Sequence, residues 1–300
     1  MTASSPHILY KYRNDSEYTE KILSERKVWL STAENLNDPL ECRTGTIPID
    51  VKQKIIHEME AYQILGMYVL SPENRGQETL MSLDARETRQ WFKRLKKLPH
   101  KRALKAVYSL LEEHGLRPSK PQQFFVKLEK QLNEVGIFSL SETVESELMW
   151  SHYADSHRGI ALGFERREDN RLGDQTHTIP VTYSERKPDF DQNFRQVVSI
   201  TVDNTGAAKS ESNVAFDDPM FRQFISTKTP PWSYEKEWRY VEPKSGLYDH
   251  PGSLVHVVYG LKLSMERRNY YRALLNKNGY SVRQSTIAYD GPAGLRLVDL

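Results

Sequence analysis

The sequence predicts an α+β fold in which a central mixed or antiparallel sheet is interrupted by a helical insertion. Three observations carry this expectation. Runs of β-branched and aromatic residues occur near the start of the chain and throughout its second half. Between residues 51 and about 136, apolar residues instead recur three and four apart, the helical period. Strand composition then resumes at Gly136–Leu140, so the helices read as an insertion within a single domain spanning residues 1–300.

HILYKYR (His7–Arg13) opens the sheet, with Ile8, Tyr10 and Tyr12 on one face and His7, Leu9, Lys11 and Arg13 on the other. Asp15 or Ser16 can cap a helix carrying Tyr18, Ile22 and Leu23, and Val28–Thr32 returns to strand composition. The stretch ENLNDPLE (Glu34–Glu41) holds turn formers. Within the insertion, SPENRG and GLRPSKP punctuate the helical segments. Beyond it, strands are expected in IFSLS, RGIALGFE, TIPVTY, SYEKEWRYV, LVHVVYG, SVRQSTIAY and LRLVDL, and helices in ESELMWSHYA, DPMFRQFIST and MERRNYYRALLNKNG. The small, polar run Asp203–Asn213 reads as a mobile loop.

Composition excludes several classes. A hydrophobic fraction of 38% with 27% charged residues, 16 tyrosines, 10 phenylalanines and 5 tryptophans suits a globular protein with bulky core material. MTASSPHILY has no basic segment leading into an apolar core, and no window approaches the roughly 18 apolar residues of a membrane span, so a soluble, cytoplasmic protein is expected. Cys42 is the single cysteine, which rules out an internal disulfide and a multi-cysteine zinc site. A net charge of +2 from 42 basic and 40 acidic residues does not by itself point to nucleic acid. Arg89–Lys105, however, holds eight Arg or Lys and no acid: either a solvated helix face or a phosphate-facing patch.

The chemistry-bearing stretch is WSYEKEWRYVE (Trp232–Glu242). In an extended strand Tyr234, Lys236, Trp238 and Tyr240 share one face while Glu235, Glu237 and Arg239 share the other, about 6.6 Å apart along the chain. An exposed ladder of this kind would stabilise by less than about 1 kcal/mol. Buried in a cleft, the same two carboxylates could instead hydrogen-bond a ribose hydroxyl and stabilise a sugar cation. The segment Ser146–Phe164 brings Trp150, His152, Tyr153, His157 and Arg158 together, as core packing or as a stacking and phosphate-holding surface. Its histidines are badly spaced for zinc on a helix, and no metal is expected. Neither GxGxxG, a Walker sequence nor GxSxG occurs.

Four motifs, Leu9–Arg13 (LYKYR), Asn37–Pro39 (NDP), Leu148–Ala154 (LMWSHYA) and Trp232–Arg239 (WSYEKEWR), resemble those of a widespread bacterial family of unknown function. Their order is similar to that of the ADP-ribosyltransferase fold. That resemblance implies NAD as substrate, Glu237 as catalytic carboxylate with Arg239 beside it, and Glu235 orienting the acceptor. It further implies Arg13 on the pyrophosphate, Ser139 and Ser141 as the middle-strand element, and Tyr10, Trp150, His152 and Tyr153 around the bases. The acceptor would be a macromolecule, protein or nucleic acid (RNA or DNA), with a phage-defence toxin role and a regulatory antitoxin as further implications. The alternatives are a non-catalytic nucleotide- or partner-binding module and a metal-assisted nuclease built on Asp38, Glu41 and His152.

Overall fold

A computed structural model describes residues 6–75, 78–190, 193–202 and 208–300. Its elements begin with β1 (Ile8–Arg13), α1 (Glu17–Glu25), β2 (Lys27–Leu30), α2 (Ile49–Val69), α3 (Pro72–Arg75), α4 (Ala85–Leu95) and α5 (His100–Glu113). There follow β3 (Leu116–Arg117), α6 (Phe124–Glu134), β4 (Gly136–Ser141), α7 (Glu147–Tyr153), β5 (Ile160–Glu165), β6 (Thr178–Pro180), β7 (Thr182–Tyr183), β8 (Gln196–Val202) and β9 (Ala208–Val214). The chain ends with α8 (Pro219–Ser226), β10 (Thr227–Lys228), β11 (Glu237–Glu242), β12 (Gly246–Asp249), β13 (Leu254–Tyr259), α9 (Met265–Lys277), β14 (Arg283–Tyr289) and β15 (Leu295–Asp299).

Two compact units are formed. The first comprises Met1–Arg43, Gln131–Pro188 and Pro219–Leu300; the second comprises Thr44–Lys130 and Asp189–Asp218. The first unit is built on an eight-stranded sheet in the order β15-β14-β13-β5-β1-β4-β11-β6. Only β13 and β14 run parallel within it, so the sheet is mixed. Alternation sorts its side chains as the pleat requires. Leu9, Phe138, Leu162, Tyr240 and Val257 pack with Ile22 and Leu23 of α1 and Tyr271 and Leu275 of α9. Tyr10, Tyr12, Ala161 and Val258 join Met149 and Trp150 of α7 in a separate core.

One register detail shapes the site. Strand β1 pairs with β5 from Ile8↔Glu165 to Arg13↔Ile160, but with β4 only at Tyr10↔Ser141. Beyond that point the Lys11 ammonium, not a backbone amide, reaches the Ser139 carbonyl at 2.9 Å.

The second unit holds α2 to α5 around Met67, Phe92, Leu95, Ala103, Val107 and Leu110. Asp84 caps α4 with a full capping box closed by Glu87. A three-stranded sheet, β3-β9-β8, completes it. The polar run at Asp203–Asn213 therefore differs from the expected loop over Ala208–Asn213, which pair with β8 as a strand; residues 203–207 lie outside the described residues. Ladder hydrogen bonds override weak β propensity there. Among the described residues, no helix is long and apolar enough to cross a membrane.

A buried polar chain crosses the first unit's sheet. The Tyr10 hydroxyl lies 3.0 Å from His256 Nδ1, His256 Nε2 lies 2.8 Å from Ser285 Oγ, and Ser285 donates to Asp299 at 2.7 Å. Ser285 spends its proton on Asp299, so His256 donates from Nε2 and accepts at Nδ1, the neutral form. Burial, helped by Arg283, pushes its pKa down to about 4. Gly163 makes this contact possible. It is registered with both Tyr10 and His256, and a Cβ there would stand 2.9 Å from the Tyr10 ring and 3.0 Å from His256 Cβ.

Two outcomes follow. Gly163→Ala should lower unfolding stability by about 1–3 kcal/mol, measured by urea denaturation, because the added methyl must displace the Tyr10 ring, the His256 Cβ and Ile8. The His256 contribution is fully present above its unfolded pKa of about 6.5 and fades as pH falls from there towards 4, where the folded form protonates. Denaturation between pH 7 and 5 should therefore show a loss of stability that His256→Gln flattens.

Candidate active site

At the start of β11 the chain does not follow the alternation expected for Ser233–Val241. Pro230 and Pro231 open a 3-10 turn through Glu235, and Lys236 adopts a left-handed conformation with φ 43°. The strand begins only at Glu237. Prolines donate no ladder hydrogen bond, which keeps this approach out of the sheet. Glu235 and Glu237 are brought together all the same, by a third residue. Lys228 of β10, itself buried, donates to Glu235 Oε2 at 2.7 Å and to Glu237 Oε2 at 3.2 Å.

Arg239 anchors the other side of the pair. It is fully buried, and its Nε and Nη2 grip the two Glu237 oxygens at 2.9 and 3.1 Å. Nη1 donates to the Ile225 carbonyl at 2.8 Å and to Cys42 Sγ at 3.3 Å, and Nη2 also reaches Glu41. Glu41 Oε1 lies 3.7 Å from Lys228. Three buried carboxylates thus share two buried cations, with Lys11 of the cavity wall also within electrostatic reach of Glu235 and Glu237.

The pKa values divide accordingly. Burial acts to raise the Glu237 carboxyl, but Arg239 and Lys228 overcome it and hold the group at about 2. For Glu235, burial prevails over Lys228 and Tyr153, and its pKa is raised. Glu237 is accordingly a fixed anion and Glu235 the carboxylate able to carry a proton. Tyr153 donates to Glu235 Oε1 at 2.5 Å and receives a hydrogen bond from Asn37. Tyr183 holds the Glu237 backbone amide at 2.9 Å. The Cys42 thiol is pushed up to about 11 by burial, which makes it inert rather than nucleophilic.

These groups border a cavity of about 640 Å³, within the range of small-molecule sites. Its wall includes Tyr10–Arg13 of β1, Ile137–Leu140 of β4, Tyr153, Lys228, Glu235 and Glu237. Lys11 and Arg13 add positive charge. Burial, reinforced by Arg13, lowers Lys11 to about 7, while Arg13 is lowered by burial. Tyr18 and Trp29, both more than half exposed, supply accessible aromatic surface on the same wall.

Of the residues singled out from sequence, Tyr10, Arg13, Ser139, Tyr153, Glu235 and Glu237 border this cavity, and Arg239 lies behind Glu237. Ser141 is buried and donates to the Glu235 carbonyl at 2.6 Å, so it positions the turn. Trp150 is fully buried, set edge-on against Tyr12 with its indole N–H on the Val144 carbonyl, and has no face free for a base. Core packing claims its ring, with His157 stacked on it as well. His152 is exposed, with Nδ1 3.1 Å from the Tyr234 hydroxyl, and does not border the cavity. Helix α7 turns Trp150 inward and therefore carries His152 away from it. Asp38, Glu41 and His152 do not form a metal-ligating group: Glu41 is held by Arg239, and Asp38 accepts from the Leu40 amide. Lys228, Tyr183 and Trp29 carried no local signal: Tyr183 meets Glu237 across 54 residues, Lys228 stands only seven and nine residues from its carboxylates but outside the acid-aromatic run, and Trp29 is known only by its place on the cavity wall.

Residues 149–240 match the family described as a protein of unknown function (DUF2971). The matched segment contains Tyr153, Lys228, Glu235, Glu237 and Arg239. Arg13, Glu41 and Ser139, and with them the LYKYR and NDP motifs, lie outside it. No curated protein and no solved structure matches the chain.

Removing the anchor should be costly. Arg239→Met leaves Glu41 and Glu237 buried with Lys228 alone, and unfolding stability should fall by about 3–5 kcal/mol in chemical denaturation. Cys42 should resist iodoacetamide in the native protein at pH 8 and react once the chain is unfolded.

Proposed function

We propose that this protein is an NAD-dependent ADP-ribosyltransferase acting on a macromolecular acceptor. What supports the reading above all is that Arg13 of the first strand and the Glu235 and Glu237 carboxylates border one cavity. Lys11 and Arg13 offer charge for a pyrophosphate. Tyr18, Trp29 and Tyr153 offer rings against which nicotinamide or adenine can stack. The ionised Glu237 on the cavity wall suits a reaction in which positive charge develops on a sugar.

In the proposed reaction the bond between ribose C1' and the nicotinamide nitrogen breaks, and its electron pair leaves with nicotinamide. The ribosyl cation so formed is stabilised by Glu237, which stays ionised because Arg239 and Lys228 hold it so. An acceptor O–H or N–H then attacks C1', and its proton passes to Glu235, whose raised pKa fits it to receive one. Preorganised charge of this kind contributes about 2.7–4 kcal/mol to a barrier.

Incubation of the purified protein with NAD and a cellular lysate tests this through released nicotinamide. Glu235→Gln should cut steady-state release by about 100-fold or more, since each completed turnover needs the acceptor's proton removed, while the circular dichroism spectrum stays that of the parent. Bound but unaltered NAD would instead favour a binding module, and turnover indifferent to Glu235→Gln would overturn the assignment. Trp29→Ala, at a side chain mostly in solvent, should raise the KM for NAD several-fold with little change in kcat or stability.

A further inference from the structure

The helical unit carries a second cluster unrelated to this cavity. His57 and Glu60 lie three apart on α2, hence on one face of that helix, and His100 is the first residue of α5. One donor atom from each of the three side chains lies within 4.8 Å of the others. His100 Nε2 is 3.0 Å from Glu60 Oε2, and the His57 and His100 rings stand 4.2 Å apart, tilted by 37°.

We propose that His57, Glu60 and His100 form a binding site for a divalent cation of the zinc class. A hydrogen-bonded ion pair accounts for Glu60 and His100 alone. It leaves out His57, whose ring nevertheless stands beside that of His100 with a ligand atom in reach of the pair. A shared cation uses the lone pairs of both neutral rings. Metal–ligand bonds of about 2.0–2.1 Å place tetrahedral donors about 3.3 Å apart, so the Glu60–His100 spacing is already suitable and His57 has only to rotate inward. Two imidazoles with one carboxylate favour Zn²⁺ or Co²⁺ over Mg²⁺, which prefers oxygen ligands and water. The outer support is also in place: Gln122 donates to the remaining Glu60 oxygen at 2.5 Å, fixing the carboxylate as second-layer donors do in metal sites. The packing of α2 and α5 through Met67, Ala103 and Val107 holds the two ligand-bearing helices together. The cation would clip the middle of α2 to the start of α5 and leave a fourth position open to water.

The test uses the full-length, tag-free chain stripped with chelator and titrated with Zn²⁺ by calorimetry and with Co²⁺ by visible absorption. One ion per chain is expected, with the intense Co²⁺ bands of a four- or five-coordinate site and a Zn²⁺-dependent rise of several degrees in melting temperature. His57→Gln and His100→Gln should each weaken Zn²⁺ binding at least about tenfold, whereas His152→Gln should leave it unchanged. All three variants should keep the parent circular dichroism spectrum, because these side chains are not in the apolar core. Absence of stoichiometric binding, binding that survives both ligand variants, or equal competition by Mg²⁺ would each overturn the proposal.

Discussion

A guanidinium with no access to water dictates the architecture around the cavity. Arg239 cannot lose its proton, so each of its donors must find an acceptor inside the protein. Glu237 comes with it on the same strand, but the Ile225 carbonyl, Cys42 and Glu41 must be delivered by the end of α8 and by the segment after the NDP turn. The chain accepts local strain to deliver them. Cys42 adopts φ 55° and Lys236 φ 43°, left-handed values that side chains disfavour, and each is next in sequence to a carboxylate of the ion cluster. Buried ion pairs seldom add net stability over apolar packing. Their presence here therefore points to a geometry and a charge distribution that apolar side chains could not supply.

That distribution is asymmetric. With two cations shared among three carboxylates, the environment decides which carboxylate can hold a proton. Arg239 contacts Glu237 and Glu41 but not Glu235, so Glu235 is left with Lys228 and the Tyr153 hydroxyl as partners. One acid is pinned as an anion and its neighbour is free to exchange a proton, within the wall of a single cavity. The partial separation of β1 from β4 lets that cavity run alongside the sheet, where the Lys11 ammonium takes the place of a ladder bond.

The candidate site was partly legible in the linear chain, and the failures have identifiable physical causes. Glu235 and Glu237 stand out as acids among aromatics, although the alternation that first pairs them is broken by Pro230, Pro231 and Lys236. Their proximity survives because Lys228 bridges them from a different strand. Trp150 looks like a stacking surface because an aromatic beside His and Tyr is equally consistent with core and with site. Burial settles the matter, and the accessible rings are Tyr18 and Trp29 instead. The strand at Ala208–Val214 was hidden by its polar composition, since pairing with β8 rather than propensity creates it.

The sequence alone determined the helical and strand periods, the inward and outward faces of β1, the position of the helical segment and the presence of paired acids late in the chain. These are consequences of backbone geometry acting over a few residues. Only the tertiary structure decided which charges meet: Glu41 reaches Arg239 across 198 residues of sequence, and Lys228 arrives from outside the motif it completes. No local pattern encodes such pairings, because a buried charge selects its partner by proximity in the folded interior, where the cost of leaving it unpaired is highest.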